Sequence, residues 1–273
     1  MDFVKMHGCG NDYVFVREEV DRPDEIARLI SDRHRGVGGD GLILILPSKV
    51  ADARMRMFNA DGGEAEMCGN GLRCVAKLLY EEGGVKKPHM RVETGRGILE
   101  IDIRAENGRV LSARVGMGKP GLERSEIPMG GGKGKAISVP LEAGGETFEA
   151  TCVSMGNPHC VLFVDDLESA DVSRVGPLLE HHPIFPKRTN VGFAQVVSPS
   201  EIKLRVWERG SQETQACGTG ACAAVVAAVL TGRTGRSAKV RLPGGDLQIE
   251  WPEAGDVYME GPAQESFRGT WTP

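Results

Sequence analysis

Short apolar and alternating segments dominate the chain and predict many β-strands joined by tight turns. Asn107-Gly108 is a favoured two-residue turn, and it separates two alternating segments at 98–104 and 109–115. This pattern predicts a β-hairpin. A second hairpin is predicted around the turn at 243–246. Further strands are predicted at residues 13–16, 42–46, 54–58, 240–242 and 247–249.

Helical patterns are few, and four segments carry them. Pro23 suits the first turn of a helix and precedes apolar residues at helical spacing. A second helix is predicted from about Gly69 to the glycine pair at 83–84, and a third over about 178–182. The fourth, over about 218–230, is apolar on every side, which is typical of a helix buried at the centre of a sheet structure.

An internal repeat organises the chain. Adding 149 to the residue number places segment 64–71 on segment 213–220 without a gap, so that a Cys-Gly-x-Gly turn occurs in each. An offset of 146 places Gly10-Asn11 on Gly156-Asn157, and each pair is followed by an apolar strand. The repeat predicts two domains related by a pseudo-twofold, with a boundary near residues 116–120.

Composition and charge narrow the class of protein. The chain has 273 residues, enough for about two domains, and 40% of them are apolar, as in an ordinary globular protein. The net charge is −5 and the basic residues are scattered, so we expect no nucleic-acid partner. The longest strongly apolar stretch, 221–230, is too short to cross a bilayer, and residues 1–5 hold no signal-peptide core. We therefore expect a cytoplasmic protein with no membrane partner.

The spacing of the cysteines argues against two common kinds of cysteine site. No two of the seven are separated by only two residues, as a zinc ribbon or a thioredoxin-like motif requires. We expect no metal site, and reduced thiols in a cytoplasmic setting. Taken singly, a cysteine is most often a small buried hydrophobe. Cys9, Cys74, Cys160 and Cys222 are assigned such packing roles.

Each Cys-Gly-x-Gly turn places a cysteine at the start of a predicted helix. A helix start presents unpaired N–H groups and a partial positive charge, which lower the pKa of a thiol toward neutrality. The flanking glycines let a ligand approach the backbone, and the free N–H groups form a site for a carboxylate. One such turn is weak evidence of function. Two at matching repeat positions favour a catalytic role for Cys68 and Cys217.

If the repeat brings the two helix starts face to face, Cys68 and Cys217 flank one substrate carbon. One cysteine, as thiolate, can remove an α-proton while the other, as thiol, delivers a proton to the opposite side. This inverts a stereocentre by general acid–base catalysis. Helix-end N–H groups that bind the carboxylate would stabilise the developing charge. Such chemistry needs no pyridoxal phosphate, metal or other cofactor, and we expect none.

Several segments match one enzyme family, and they occur in that family's order. They are KMHGCGNDY at 5–13, FNADG at 58–62, MCGNGLRC at 67–74, GNPHC at 156–160, RTNVGF at 188–193, and ERG at 208–210 running into TQACGTG at 214–220. On these residues, across nearly its whole length, the chain strongly resembles the diaminopimelate epimerases.

The resemblance implies an α+β fold of two pseudo-symmetric domains, each a mixed or antiparallel β-sheet wrapped around a central α-helix. We predict that residues 1–117 with 262–273 form the N-terminal half and residues 118–261 the C-terminal half. The resemblance implies interconversion of LL- and meso-2,6-diaminopimelate, in the biosynthesis of lysine and peptidoglycan precursors. It also implies a homodimer.

The resemblance assigns roles residue by residue. Cys68 and Cys217 match the acid–base pair, and His159 and Glu208 match polar groups that tune the thiols. The residues matched to substrate binding are Asn11, Asn59, Gly69, Asn70, Asn157, Asn190, Glu208, Arg209, Gly218 and Thr219. Two positions depart from the family: Gly41 stands where many members have glutamine, and Phe267 where a tyrosine linked to dimerisation is common.

Three alternatives remain open. A proline or hydroxyproline racemase has similar chemistry, but that family typically has a histidine where this chain has Asn70. A cyclic imino acid also has no distal end for Asn59, Asn190 and Arg209 to bind. A protein of another class could use the two turn cysteines as a redox pair or as metal ligands. A non-catalytic module would bind the same ligand without turnover.

Overall fold

Residues 1–253 and 255–272 are described by a computed structural model of the chain. The chain divides into two units: unit 1 comprises Met1–Gly116 and Glu260–Pro273, and unit 2 comprises Met117–Met259. Ala254 and Pro273, which fall within the two predicted domains, lie outside the described residues.

Strands far outnumber helices among the described residues, as the short apolar segments predict. The chain begins with β1 (Asp2–Gly8), β2 (Asn11–Val16), α1 (Pro23–Ser31), β3 (Gly41–Leu46), β4 (Ala53–Asn59), β5 (Glu64–Ala65), α2 (Gly69–Glu81), β6 (His89–Thr94), β7 (Gly97–Glu106) and β8 (Arg109–Gly118). It continues with β9 (Val139–Ala143), β10 (Glu146–Ser154), β11 (Pro158–Phe163), α3 (Val172–Glu180), β12 (Asn190–Ser198), β13 (Glu201–Glu208) and β14 (Gln212–Thr214). It ends with α4 (Gly218–Leu230), β15 (Ser237–Leu242), β16 (Gly245–Glu250), β17 (Val257–Gly261) and β18 (Gln264–Thr270).

The two units repeat one sheet topology. In unit 1, β1 pairs antiparallel with β2, β2 pairs parallel with β3 across helix α1, and β3 pairs antiparallel with β4. In unit 2, β10, β11, α3, β12 and β13 repeat this order and these directions. The strand after the central helix again pairs parallel, β6 with β4 and β15 with β13. The predicted α+β class, with two units that each build a mixed sheet, is confirmed.

The outer edges of the two sheets are completed differently along the chain. In unit 2, β9 precedes β10 and pairs antiparallel with it. In unit 1, the equivalent place beside β1 is taken by β18, from the far end of the chain. Trp271 N also donates to the carbonyl of Met1 at 2.9 Å. The C-terminal strand therefore belongs to unit 1.

The second helix of each repeat is packed against its own sheet. Helix α4 contacts β10 to β13, β15 and β16, and every residue from Gly220 to Ala228 is buried. This burial is why its sequence is apolar on all sides. Helix α2 contacts β1, β2 and β7 and buries most of its length. Within the described residues, no helix combines the length and the apolar character needed to cross a membrane.

The hairpin predicted at Asn107-Gly108 is present between β7 and β8, and both residues have positive φ, 50° and 77°. The other predicted turn is tighter than expected, because Leu242 already pairs with Gly245.

The third predicted helix was placed wrongly. It begins at Val172 and ends at Glu180, because the carboxylate of Asp171 caps it by accepting from Arg174 N at 3.2 Å. Its Gly176 packs against the Trp207 ring, which leaves no room for a Cβ. The glycine and the following proline hide this helix in the sequence.

Candidate active site

Cys68 and Cys217 each immediately precede the central helix of their unit. Both have an extended backbone, with φ and ψ of −139° and 113° at Cys68 and −113° and 104° at Cys217. Each sulfur accepts a hydrogen bond from the backbone N–H three residues later, at 3.3 Å from Gly71 N and 3.3 Å from Gly220 N. A cysteine thus caps each helix as serine or threonine usually does, with its sulfur at the positive end.

The second glycine of each Cys-Gly-x-Gly turn lies where a Cβ would crowd a neighbouring side chain. A Cβ built on Gly71 would overlap Cδ1 of Ile43. One built on Gly220 would lie 3.2 Å from the Cys217 sulfur. Neither glycine has a positive φ, so backbone freedom does not explain them. The neighbouring side chain is Ile43 at Gly71, and Val206 together with Cys217 at Gly220.

In unit 1, the Cys68 sulfur also contacts the hydroxyl of Tyr13, at 3.3 Å. Tyr13 lies on β2 and is 4% exposed, and the side chain of Asn11 hydrogen-bonds to the same hydroxyl. Oδ1 of Asn11 is buried and has no hydrogen-bond partner within residues 1–253 and 255–272. Because a buried acceptor without a partner is costly, this atom suits a donor supplied by a ligand, such as an ammonium group.

Burial raises the pKa of the Cys68 thiol despite its place at a helix start. Hydrogen bonds with Tyr13, Gly71 N–H and Asn70 N–H, and the positive charge of Arg73, favour the thiolate but do not offset the loss of hydration. The expectation of a thiol pKa near neutrality is therefore wrong for Cys68. Residue spacing identifies a helix start, whereas tertiary packing sets the depth of burial.

In unit 2, Cys217 lies at the end of a chain of side-chain hydrogen bonds. The Thr219 hydroxyl is 3.5 Å from the Cys217 sulfur and accepts from Nδ2 of Asn157 at 3.3 Å. Oδ1 of Asn157 lies 3.1 Å from Nε2 of His159. Unit 2 therefore brings together four residues that the sequence predicted for the site.

His159 is neutral and reaches Cys217 through two intervening side chains. Burial, together with the positive charge of Arg209, lowers the pKa of His159 to about 3. With a carbonyl oxygen of Asn157 as its acceptor, Nε2 is assigned the ring proton and donates it. A neutral imidazole at this place orients the amide of Asn157, which in turn fixes the Thr219 hydroxyl.

The pKa of the Cys217 thiol is raised well above its usual value, first by burial and then by the negative charge of Glu208. Hydrogen bonds with Thr219 and Gly220 N–H act in the opposite direction and do not offset this effect. Glu208 itself accepts a hydrogen bond from the hydroxyl of Thr214. The expected pKa near neutrality is wrong for Cys217 as well.

Asn190 holds the turn that carries Arg209. Asn190 is 3% exposed, its Nδ2 donates to the Pro158 carbonyl at 2.9 Å, and its Oδ1 accepts from Arg209 N at 2.9 Å. The Arg209 side chain is exposed, and its guanidinium donates to the Lys187 carbonyl at 2.8 Å. The backbone of Arg209 is thus fixed by Asn190, while its cationic side chain is exposed to solvent.

The remaining predicted residues lie at the start of a helix or at the end of a strand. Gly69 and Gly218 are the first residues of α2 and α4, and Asn70, which follows Gly69, is 4% exposed. Asn59 is exposed at the end of β4, opposite Gly41 on β3.

Gly41 leaves no room for the glutamine that many family members have. A Cβ built on Gly41 would overlap the carbonyl oxygen of Phe58 on the neighbouring strand. A side chain at this position therefore requires the two strands to separate.

The cysteines outside the two turns lie in the protein interior. All seven cysteines are free thiols. Burial raises the pKa of Cys74 to about 12, as expected of a packing residue. The others at 3% exposure or less are Cys9, Cys152, Cys160 and Cys222.

Tyr13 is absent from the residues that the sequence predicted for the site, although it contacts Cys68 directly. Its signal was the repeat: the offset of 146 that aligns Asn11 with Asn157 also aligns Tyr13 with His159. The strand register agrees, since Tyr13 pairs with Gly41 and His159 pairs with Asn190. A tyrosine and a histidine share no obvious likeness, which conceals the correspondence.

The arrangement of two cysteine-capped helices can be compared with known proteins. The family model described as diaminopimelate epimerase matches residues 3–123 and 151–265. The chain belongs to the diaminopimelate epimerase family. The resemblance predicted from the sequence motifs is thereby confirmed.

Close relatives within the diaminopimelate epimerase family cover the whole chain. A diaminopimelate epimerase from Pelotomaculum thermopropionicum is 58% identical over 276 residues, or 99% of each chain. One from Moorella thermoacetica is 55% identical over 274 residues, or 98% of each chain.

A solved structure outside that family shares the fold. It is a hydroxyproline epimerase from Agrobacterium vitis, with a TM-score of 0.68, 16% identity, and coverage of 98% of this chain and 91% of that one. At this identity the likeness concerns the fold alone. Over nearly its full length the chain is far more similar to the diaminopimelate epimerase from Pelotomaculum thermopropionicum.

Proposed function

We propose that this chain is a cofactor-independent isomerase that interconverts LL- and meso-2,6-diaminopimelate with Cys68 and Cys217 as its two acid–base groups. The observation that carries the proposal is the repeated cap: each unit ends a strand-turn with a cysteine whose sulfur accepts a helix-start N–H at 3.3 Å. The same cap holds a sulfur in each unit. Such a pair suits a reaction in which the two groups exchange the roles of acid and base between the forward and reverse directions.

The proposed step moves one proton off the substrate and another onto it. The thiolate of one cysteine takes the α-proton, so the Cα–H bond breaks and an S–H bond forms. The electron pair left on the carbon spreads into the adjacent carboxylate. The thiol of the other cysteine then gives its proton to the opposite face, which leaves that sulfur as the thiolate. In the reverse reaction the two sulfurs exchange roles.

The surroundings of the sulfurs support a starting assignment of roles. Both pKa values are raised and both sulfurs contact a hydroxyl, but Cys217 also has the Glu208 carboxylate nearby, and its pKa is raised further. Cys68 is therefore the easier thiol to ionise, and Cys217 is the cysteine that stays protonated to higher pH. Both cysteines rest as thiols at neutral pH. Turnover should therefore rise with pH as the first thiolate forms.

Substrate recognition is proposed to use groups from both units. N–H groups of Gly69-Asn70 and Gly218-Thr219 are helix-start donors suited to the reacting carboxylate. The unpartnered Oδ1 of Asn11 suits the α-ammonium. Asn59, Asn157, Asn190, Glu208 and Arg209 are proposed to bind the remainder of the substrate, including its distal amino-acid end.

We further infer that the two units are the two epimerase halves, at about residues 1–117 with 262–273 and residues 118–261. We propose that the enzyme works in the cytoplasm, in the biosynthesis of lysine and peptidoglycan precursors, as a homodimer. The exposed Phe267, which stacks edge-on against Phe3 at 5.9 Å between ring centroids, offers an apolar contact for a second copy. Light scattering on the purified chain reports the oligomeric state directly.

The decisive experiment follows α-hydrogen exchange in deuterated water. Purified protein is offered LL-diaminopimelate, and in a parallel reaction L-proline. We expect meso-diaminopimelate to appear with one deuterium at the inverted carbon, and proline to remain unlabelled and unchanged. Exchange of proline alone would replace the proposal with an imino-acid racemase, and exchange of neither would leave a binding module.

A further inference from the structure

We propose that Tyr13 is a positioning residue for the acid–base reaction, and that its hydroxyl holds Cys68 and donates to the sulfur when Cys68 is a thiolate. This inference rests on the proposed function of Cys68, and it adds a residue that no sequence motif assigned. Its starting point is the 3.3 Å contact between the Tyr13 hydroxyl and the Cys68 sulfur.

The contact serves both protonation states of the cysteine. As a thiol, Cys68 donates its S–H to the Tyr13 oxygen. As a thiolate, it can only accept, and the hydroxyl is able to turn its O–H toward the sulfur. A hydroxyl, unlike a carbonyl or an ammonium group, can fill both roles without moving.

The surroundings keep Tyr13 as a hydroxyl. It is 4% exposed, and burial followed by the nearby Cys68 raises its pKa well above the usual tyrosine value. Asn11 hydrogen-bonds to the phenolic oxygen, which leaves the O–H free for Cys68. The ring is packed edge-on against Phe15, with centroids 6.5 Å apart. The protein therefore keeps the Tyr13 O–H protonated and directs it toward the Cys68 sulfur.

In unit 2, the residue at the position of Tyr13 does not contact the cysteine sulfur directly. His159 is the repeat counterpart of Tyr13, and its ring contacts Asn157, which reaches Cys217 by way of Thr219. In unit 1 the tyrosine reaches the sulfur itself. At this repeat position, therefore, a hydroxyl contacts the sulfur in unit 1 only, and in unit 2 the hydroxyl beside the sulfur comes from Thr219 on the helix itself.

Other charged groups near this pair are accounted for. On α2, the positive charge of Arg73 favours the Cys68 thiolate. Cys74, also on α2, is a buried thiol with a pKa of about 12 and stays neutral. Asp40, just before β3, acts on Tyr13 by raising its pKa. Tyr13 is the hydroxyl that the described residues place against the Cys68 sulfur, and its removal leaves these charges in place.

The experiment compares Tyr13→Phe with Tyr80→Phe in the full chain. Phenylalanine keeps the ring and removes only the hydroxyl, and Tyr80 lies half-buried on α2, against Lys86. Iodoacetamide labelling is followed from pH 7 to 10, with trypsin cleavage after Arg73 to separate Cys68 from Cys74. Epimerisation of LL-diaminopimelate is measured over the same range.

We expect Tyr13→Phe to move the labelling midpoint of Cys68 up by about one pH unit, with about tenfold slower labelling below it. The acid limb of kcat/KM should move with it, so that the deficit of about tenfold near pH 7.5 shrinks at higher pH. Tyr80→Phe should change neither profile. A purely structural role for Tyr13 would lower activity equally at every pH.

Unchanged labelling of Cys68 in Tyr13→Phe, or an activity loss that is the same at all pH values, would overturn the inference. Near-ultraviolet circular dichroism and the urea midpoint report whether the variant keeps its fold. If the parent protein fails to turn over diaminopimelate, the proposed function fails, whereas the labelling profile still decides whether Tyr13 acts on Cys68.

Discussion

The turn at Cys68 and the turn at Cys217 share a backbone but have different neighbours. Both cysteines cap a helix with the sulfur 3.3 Å from an N–H donor. Beyond that cap, Cys68 contacts a tyrosine hydroxyl, whereas Cys217 contacts a threonine hydroxyl and lies near the Glu208 carboxylate. Cys68 is partly exposed, whereas Cys217 is 4% exposed.

This contrast separates two tasks that one motif performs. The Cys-Gly-x-Gly backbone places each sulfur, and a duplicated sequence keeps that placement in both units. Acidity depends on the residues packed around the turn, and these differ between the two units. A two-base enzyme needs one thiolate and one thiol at a time, and the unequal surroundings decide which of the two thiols ionises first as the pH rises.

Replacing either cysteine by serine should have the largest effect. We expect Cys68→Ser and Cys217→Ser each to lose about 10²–10⁴-fold in epimerisation, as removal of an acid–base group does. Both variants should fold, because a serine hydroxyl can accept the same helix-start N–H. Meso-diaminopimelate formation and circular dichroism measure the two quantities.

The cysteine variants also break the symmetry of the comparison. If the sulfurs act on opposite faces, each variant should still exchange the α-hydrogen of one stereoisomer faster than that of the other, with the preference reversed between them. Equal residual exchange of both isomers in both variants would contradict the assignment of one cysteine to each face.

Thiol labelling should distinguish the two turns in the unmodified protein. At pH 8 we expect iodoacetamide to modify Cys68 at least about tenfold faster than Cys217, because Cys217 is more buried and its pKa is raised further. Glu208→Gln removes the adjacent negative charge and should speed labelling of Cys217 while leaving Cys68 unchanged. Peptide mapping by mass spectrometry quantifies each site.

Glu213→Gln provides the matched control for that comparison. Glu213 lies on β14, the strand that pairs with β13, and it forms an ion pair with Arg205 at 2.7 Å. Its substitution should leave the labelling of Cys217 as it is. Faster labelling in both glutamine variants would point to a loosened turn and away from a local charge effect.

The smallest expected effect concerns the neutral histidine of unit 2. His159 has a folded pKa of about 3, below the value of about 6.5 for an unfolded chain, so between these values only the unfolded chain binds the proton. The free energy of unfolding therefore rises with pH across this window, by up to about 1.4 kcal/mol per pH unit. His159→Gln should reduce that slope between pH 4.5 and 6.5 in urea titrations. The exposed His181→Gln should not.

The repeat allowed much of the fold to be predicted from the sequence. The offset of 149 that aligns the two turns also holds in the strand register, where Met57 pairs with Ala65 and Val206 with Thr214. Asn-Gly and Pro signals located a hairpin and the start of α1 because they act within a few residues. Helix α3 was misplaced because its glycine serves a contact with Trp207, distant in sequence.

The sequence predicted which residues the structure brings together in unit 2, and it did not predict their electrostatics. Motif spacing located both cysteines because each belongs to a local turn, whereas the roles of the asparagines stay predictions from the family resemblance. A helix start was expected to lower the pKa of each thiol, but both pKa values are raised. Burial causes this, and burial depends on every element packed around the turn. Tyr13 was overlooked because its importance depends on a contact across 55 residues of chain.

The position of β18 has a consequence for how the chain acquires its structure during synthesis. The strand that pairs with β1 emerges from the ribosome only after all of unit 2, so unit 2 can fold while unit 1 still lacks an edge. Until then β1 presents unpaired N–H and C=O groups on that side, a template for pairing with another nascent chain. The seven residues of β18, which are synthesised late, pair with β1 and remove this opportunity for pairing with another chain.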